Sequence, residues 1–330
     1  MKFNSTRLVI FFYLKAIVFL LISCVFSCQD ASRIEKEIAS IKIDLDIERF
    51  DQMFGASKPS DLPELKQNYP FLFSKKFKDS VWIRRMDDPI QQLLNRAVDS
   101  VFEDFSSTEA EIHAFYQHLK YYNKALKTPR LVTVHSDVDY RNKVIVTDSI
   151  VLIALDTYLG KDHEFYASFY DYIKQNLDRS QIVSDLATSY AEQLIYPSKR
   201  AVFLDELIYF GKQLYLKDLW IPFKENNEKI GYSPAHYQWA EANEFYIWQY
   251  FVEKELLYET DKKLSSRFIL PAPFSRFNLE LDSESPGRVG QYIGWQIVKS
   301  YMKNNPTSLS KMLQMEAVEI FNNAKFKPKK

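Results

Sequence analysis

Hydrophobic and polar positions fall into distinct regimes along the chain. Ile41, Ile43, Leu45 and Ile47 alternate with Lys42, Asp44, Asp46 and Glu48, the period of a half-buried strand. Residues 55–70 contain Pro59, Pro63 and Pro70 and read as a loop with a short helix inside. Ile90, Leu93, Leu94, Ala97, Val98 and Val101 then recur at helical spacing, and Ile112, Phe115, Tyr116 and Leu119 mark a second helix. Between Pro129 and Leu155 the pattern changes to β-branched runs, 131–134, 144–146 and 150–153, separated by polar turns, which predicts a small antiparallel meander. From Phe165 onward the period is almost wholly helical. Asp178 or Ser180 can cap a helix carrying Ile182, Val183, Leu186, Tyr190 and Leu194, with Pro197 as its stop. Another helix spans roughly Arg200 to Leu219, and more follow, broken by Pro234, Pro271, Pro273 and Pro306. There is no internal repeat. The expected architecture is α+β and helix-dominated, a small antiparallel β-meander with long helices, in one compact domain over residues 41–330.

The N-terminus follows different rules. Lys2 and Arg7 precede an apolar stretch from Leu8 to Phe26 that only Lys15 and Ser23 interrupt. Its uninterrupted part, Ala16 to Ile22, is shorter than the ~20 apolar residues a spanning helix requires. A basic start, a short apolar middle and small residues at the end describe a cleaved signal peptide, residues 1–27. Both cysteines of the chain lie at its end. Leu21-Ile22-Ser23-Cys24 and Val25-Phe26-Ser27-Cys28 each resemble a bacterial lipobox, with an aliphatic residue three places before a cysteine. Cys24 has the better local match, whereas Cys28 stands where the apolar run gives way to Gln29-Asp30-Ala31-Ser32, as a first mature residue should. Cys28 is the expected lipidation site and Cys24 the alternative; a plain signal peptide or an uncleaved anchor is the competing possibility. Acyl chains on the cysteine would fix the protein to the bilayer, since stable anchoring needs more than one chain. Residues 28–40 are expected to form a polar tether. The expected location is the cell envelope, anchored by lipid and facing the periplasm, with inner and outer membrane both open.

Without Lys2, Arg7 and Lys15, 40 basic residues face 43 acidic ones, a net charge of −3. That excess argues against a nucleic-acid partner, whose phosphates require a basic surface. Aromatic content is 15% and only 7 residues are glycine, the composition of a compact chain rather than a disordered one. The five histidines, His113, His118, His135, His163 and His236, show no chelating spacing. His113 and His118 point about 140° apart on a helix, unlike an i, i+4 pair. A Gly-rich phosphate loop, a Gly-x-Ser-x-Gly elbow and a mature-chain Cys close to a His are all missing from the sequence. No cofactor, no metal and no catalytic residue are expected.

Two segments invite a binding role. On a helix drawn from Trp239 to Tyr258, Glu241, Glu244, Trp248 and Glu255 would lie within about 60° of one another. Three carboxylates beside an indole could bind a cation, a sugar or a basic segment; they could equally be a solvated edge. The second segment is Ser285-Pro286-Gly287-Arg288-Val289-Gly290-Gln291-Tyr292-Ile293-Gly294-Trp295. Ser285 suits an N-cap and Pro286 the first helical position. Gly287, Gly290 and Gly294 would then share one face at ~1 kcal/mol each relative to alanine. Something must approach that backbone closely, either a packed neighbour or a ligand. Arg288 in the first turn would oppose the helix dipole and so should have a carboxylate partner, with the Glu241–Glu244–Glu255 stripe as a candidate.

These residues also carry a family resemblance. Ser285 to Met302, SPGRVGQYIGWQIVKSYM, resembles the C-terminal signature of the gliding motility-associated lipoprotein GldB. Asn243-Glu244, Ile247-Trp248 and Leu256-Leu257-Tyr258 are similar to the same family, as are residues 209–215, residues 154–160 and the lipobox. The resemblance implies a lipoprotein of the gliding apparatus, among envelope proteins of a machine tied to protein secretion. More distantly, the family is similar to predicted zinc peptidases with a zincin-like fold, in which a His-Glu-x-x-His helix follows a meander and the next helix carries Glu-Gly. Here the helix from Ser180 to Ile195 has no histidine, and the next has Phe210-Gly211 in place of Glu-Gly. The resemblance therefore implies a degenerate zincin-like scaffold whose metal site is lost. Two functions remain in view: a tethered, non-catalytic component acting by protein–protein contact, and an envelope peptidase or cell-wall hydrolase using the carboxylates near Trp248.

Overall fold

A computed structural model describes residues 33–196, 201–280 and 282–330. Cys24, Cys28 and the signal segment lie outside the described residues, as does Pro197. The expected tether is folded from residue 33: residues 33–39 are helical, and Ile38 is buried. Gln117 fastens this segment by donating its Nε2 amide to the carbonyls of Ala39 (3.1 Å) and Ile41 (2.9 Å). No helix among the described residues is long and apolar enough to cross a membrane.

The chain is α+β and helix-dominated. Among the described residues one sheet has four strands, β1 (Ile47–Glu48), β2 (Arg130–Val134), β3 (Val144–Val146) and β4 (Ile150–Ala154), in the order β1-β2-β4-β3. β1 and β4 both pair with β2 in parallel, and only β3 and β4 form an antiparallel hairpin. The sheet is therefore mixed, which corrects the expected antiparallel meander. The cause is the loop from 135 to 143, which carries the chain past the β4 position and starts β3 at the edge. Asp156, fully buried at the end of β4, holds this loop: its carboxylate accepts the backbone N–H groups of Ser136 (3.0 Å) and Val138 (2.8 Å). Asp137 and Val138 both take positive φ there, at 58° and 59°, a strained conformation for a β-branched residue. Alternation from Ile41 to Ile47 does produce alternating burial, Glu48 being half-buried like Ile47, but only Ile47 and Glu48 find a ladder partner.

Helices α1 (Pro89–Val101) and α2 (Ser106–Tyr122) match the predicted periods. Asp88 caps α1 by accepting from Ile90 and Gln91, and Leu94 and Val98 face inward, whereas Ile90 and Leu93 are exposed. Helix α3 (Ile182–Leu194) starts after a turn that the Asp178 carboxylate caps at Ser180 N. Helix α4 (Phe203–Trp220) follows, then α5 (Pro234–Ala242), α6 (Glu244–Glu253), α7 (Val289–Asn304) and α8 (Ala317–Ala324). One apolar core joins the sheet to α2 and α3, and a second joins α4, α6, α7 and α8.

The two cores meet at α4, which crosses α7 backbone to backbone. A methyl group at Gly294 would overlap the Leu207 carbonyl, and one at Gly211 would overlap the carbonyl of Gly294. At Gly290 it would lie 2.7 Å from Ile269 Cδ1 and 2.9 Å from Phe268 O. Of the two explanations for these glycines, the structure supplies the packed neighbour. Trp295, fully buried beside this crossing, donates its indole N–H to Asp218 at 2.8 Å. The physical consequence is testable by thermal unfolding. Gly294→Ala should destabilise by at least ~3 kcal/mol, because neither helix backbone can yield without opening the C-terminal core. Gly55→Ala, whose added methyl meets only the Asn95 side chain, should change stability by less than ~1 kcal/mol.

Candidate functional site

Neither sequence-derived cluster survives as a unit. The segment from Trp239 to Tyr258 is two helices with a break at Asn243, followed by a turn at 256–258 that Glu255 enters at a φ of 55°. The expected stripe is thereby dispersed. Glu244 is buried and accepts from the Tyr292 hydroxyl (2.8 Å) and from Lys329 N (3.0 Å). Glu241 pairs at the surface with Lys329 Nζ (2.6 Å), Trp248 packs against Phe321 and Phe326, and Glu255 is exposed. These groups pin the C-terminal tail to α5 and α6. Ser285 does not cap α7 either; it bonds within the preceding turn, to Ser275 and Asp282, and α7 begins four residues later. Gly287 precedes the helix and lies against the Ala272 carbonyl, and Arg288 takes the cap position at a φ of 65°. Arg288 forms no pair with the stripe; its Nη2 donates to the Gly231 carbonyl at 2.6 Å.

Arg288 instead faces a cleft of about 480 Å³ between α3, α4, the start of α7 and the loop before β3. Side chains reach it from each wall at helical spacing. Ser184, Asp185, Thr188 and Glu192 come from α3, and Phe210, Gln213 and Lys217 from α4. Asp185, Thr188 and Glu192, like Phe210, Gln213 and Lys217, lie three and then four residues apart, so each set shares a face, with Ser184 beside the first. Tyr232 and His236 come from the connection to α5 and from α5 itself, and Lys143 from the residue before β3.

The electrostatics are unbalanced. Asp185 is satisfied by Lys143 in an ion pair and by the Tyr158 hydroxyl (3.0 Å). Lys217, almost fully buried, donates to Ser184 Oγ at 2.9 Å and to the Lys229 carbonyl at 2.8 Å. Burial pushes its ammonium down to about 7; Asp185 and Glu192 oppose the shift, and Arg288 and Lys143 add to it. Burial likewise disfavours the Arg288 charge and, together with Arg288, lowers His236. Glu192, near the rim, is raised by burial. Lys229 is neutralised by Asp218 at 3.1 Å. Among the described residues no carboxylate lies in ion-pair contact with Arg288 or with Lys217. Gln213 Nε2, buried and near the Tyr209 hydroxyl, completes no hydrogen bond. Sequence periodicity singled out neither Lys217 nor Gln213. The available signal was their presence, with Phe210, on a largely apolar helix.

The histidines are scattered. His118 turns inward to the Leu219 carbonyl (3.0 Å), His163 caps a turn, His135 ends β2, and only His236 reaches the cleft. Among the described residues no three His, Cys, Asp or Glu side chains gather as a metal-holding group.

Lys217 carries a measurable pH signature. Between pH 7 and 9 the unfolded chain keeps a proton on this amine that the folded chain releases, so stability must rise with pH across that window. Lys212, pushed down to about 8 by burial, acts in the same direction. Denaturant unfolding should show Lys217 contributing ~2 kcal/mol between pH 7 and 9. In Lys217→Met the rise should fall to the part that Lys212 supplies, and an unchanged slope would contradict the neutral, buried amine.

A search of curated proteins finds no match to this chain, and a search of solved structures finds none either. The profile of the family described as gliding motility protein GldB, a lipoprotein family, matches residues 31–328, which includes the cleft, the glycine crossing and the C-terminal tail. The chain belongs to the GldB family of gliding motility lipoproteins.

Proposed function

We propose that this protein is a membrane-tethered, non-catalytic component of the gliding machinery that works by contact with other envelope proteins, and that the cleft between α3, α4 and α7 is its recognition element. The observation that carries this reading is the make-up of the cleft: cationic side chains, amides and aromatic rings on rigid helices, open to a ligand of several atoms. Family membership supplies the process, and the signal segment with Cys28 supplies the expected tether, a few residues before the helix at 33–39. Lipid on that cysteine would hold the body close to the bilayer while the cleft stays free for a partner.

Hydrolysis has one observation in its favour. Lys217 Nζ lies 2.9 Å from Ser184 Oγ with its ammonium lowered to about 7, the arrangement of a base beside a hydroxyl nucleophile. Against it, Ser184 is buried and donates its hydroxyl to the Glu228 carbonyl at 3.0 Å. The carboxylates near Trp248 offer no acid–base pair, since they are dispersed among three separate roles.

Two measurements separate these functions. In a deletion strain, Arg288→Gln at normal protein level should fail to restore gliding, and Cys28→Ser should restore it poorly because the body is no longer held at the membrane. Full gliding with Arg288→Gln would remove the cleft from the mechanism. A fluorophosphonate probe should leave the purified protein unlabelled; an adduct on Ser184 would establish hydrolysis instead.

A further inference from the structure

We infer that the cleft binds a ligand through a carboxylate group, held by Arg288 and Lys217. This inference rests on the cleft being a recognition site and names the chemistry recognised there.

The charge count comes first. Apart from Lys229, which Asp218 holds, Lys143, Lys217 and Arg288 face Asp185 and Glu192 in the cleft wall, so that once Lys217 is protonated one positive charge is left without a counterion. Lys143 and Asp185 cancel each other directly, so the excess resides on Lys217 and Arg288. These two repel: Arg288 is among the groups that depress the Lys217 ammonium. Unpaired charge in a poorly hydrated site is costly, and a monoanion placed between the two groups removes that penalty for both.

Geometry narrows the anion. Arg288 uses one guanidinium N–H on the Gly231 carbonyl and leaves its remaining donors without a protein acceptor among the described residues. Its plane is steadied by Tyr232, whose ring centre lies 5.4 Å from Cζ. Tyr232 is itself fixed by donating its hydroxyl to the Gly287 carbonyl at 2.6 Å. A planar fork with free donors suits the two oxygens of a carboxylate. A phosphate dianion would overshoot the single excess charge. The left-handed conformation of Arg288 contributes as well: it ends the preceding turn at the mouth of the cleft instead of placing the cation inside the first turn of α7. At about 480 Å³ the cleft has room for more than the carboxylate, so a chain end such as a peptide C-terminus fits, as does a free small acid.

Binding must be linked to a proton. The charged and titratable groups facing Lys217 are Asp185 and Glu192 on α3, Lys143 before β3, Lys229 (held by Asp218) and Tyr232 before α5, and Arg288 before α7, with His236 near Arg288 kept neutral by burial. The new carboxylate favours the charged amine, so at pH 8 each binding event should draw close to one proton from solvent.

The test is calorimetric titration of the full-length protein in detergent at pH 8, in buffers of different ionisation enthalpy. The probes are N-acetyl-alanyl-alanine, its C-terminal amide, acetate and inorganic phosphate. The expected result is binding of the acid at least about ten-fold tighter than of the amide, with proton uptake. Arg288→Gln should weaken the acid by about ten-fold or more, and Arg288→Lys by less, since it keeps charge and loses the fork. Lys217→Met should abolish the proton uptake, with unfolding curves confirming that each variant is folded. Acetate binding as tightly as the dipeptide points to a free acid, and much tighter dipeptide binding to a chain end; both support the carboxylate site. Equal binding of acid and amide, no binding of any carboxylate at 10 mM (about −2.7 kcal/mol), tighter binding of phosphate, or uptake that survives Lys217→Met would each overturn it. Cleavage of the dipeptide would sink function by contact while leaving the carboxylate site standing.

Discussion

The crossing of α4 over α7 is the constraint on which the rest of the molecule depends. With glycine at 211 and 294 the two backbones touch, which closes the C-terminal core onto α4, the helix that the sheet-bearing core also uses. Glycine inside a helix is unfavourable by itself, so the gain must come from what the contact allows. It brings the α4 face carrying Phe210, Gln213 and Lys217 against the segment that delivers Arg288.

Asp218 shows how the same crossing handles charge. It accepts the Trp295 indole N–H (2.8 Å) and pairs with Lys229 (3.1 Å) and Lys299 (3.3 Å). Lys299 lies over the Trp295 ring at 3.7 Å. One carboxylate thus neutralises two amines. Within the cleft Asp185 is occupied by Lys143, and among the described residues no carboxylate forms an ion pair with Lys217 or Arg288. Charges that a fold could have paired, as it does a turn away, stand unpaired where the cavity opens.

The C-terminal tail is bound into this frame rather than trailing from it. Lys329 meets Glu244 through its backbone N–H and Glu241 through its amine, while Trp248 packs against Phe321 and Phe326. At the other end, the helix at 33–39 docks on α2 through Gln117. Both ends of the described body are therefore tied to helices.

Element type was largely written in the sequence, because helical and strand periods are local: the helix around Ile182 to Leu194, the helix from Phe203, and the three β-branched runs all appear where the pattern places them. The close backbone approach at Gly290 and Gly294 was also legible, since glycine in a glycine-poor chain has few other uses. Strand partners were not. β2 and β4 pair in parallel because a loop held by Asp156 carries the chain across, and that hydrogen bonding joins residues 18 and 20 positions apart. The carboxylate stripe failed for a related reason: a helix break at Asn243 rotates Glu244 inward to Tyr292, 48 residues on. Sequence by itself determined the elements, the family and the need for a tight crossing. The cleft, with Lys217 and Arg288 facing one cavity, was decided only in the tertiary structure, because charge acts through space and neighbours in space here come from separate helices.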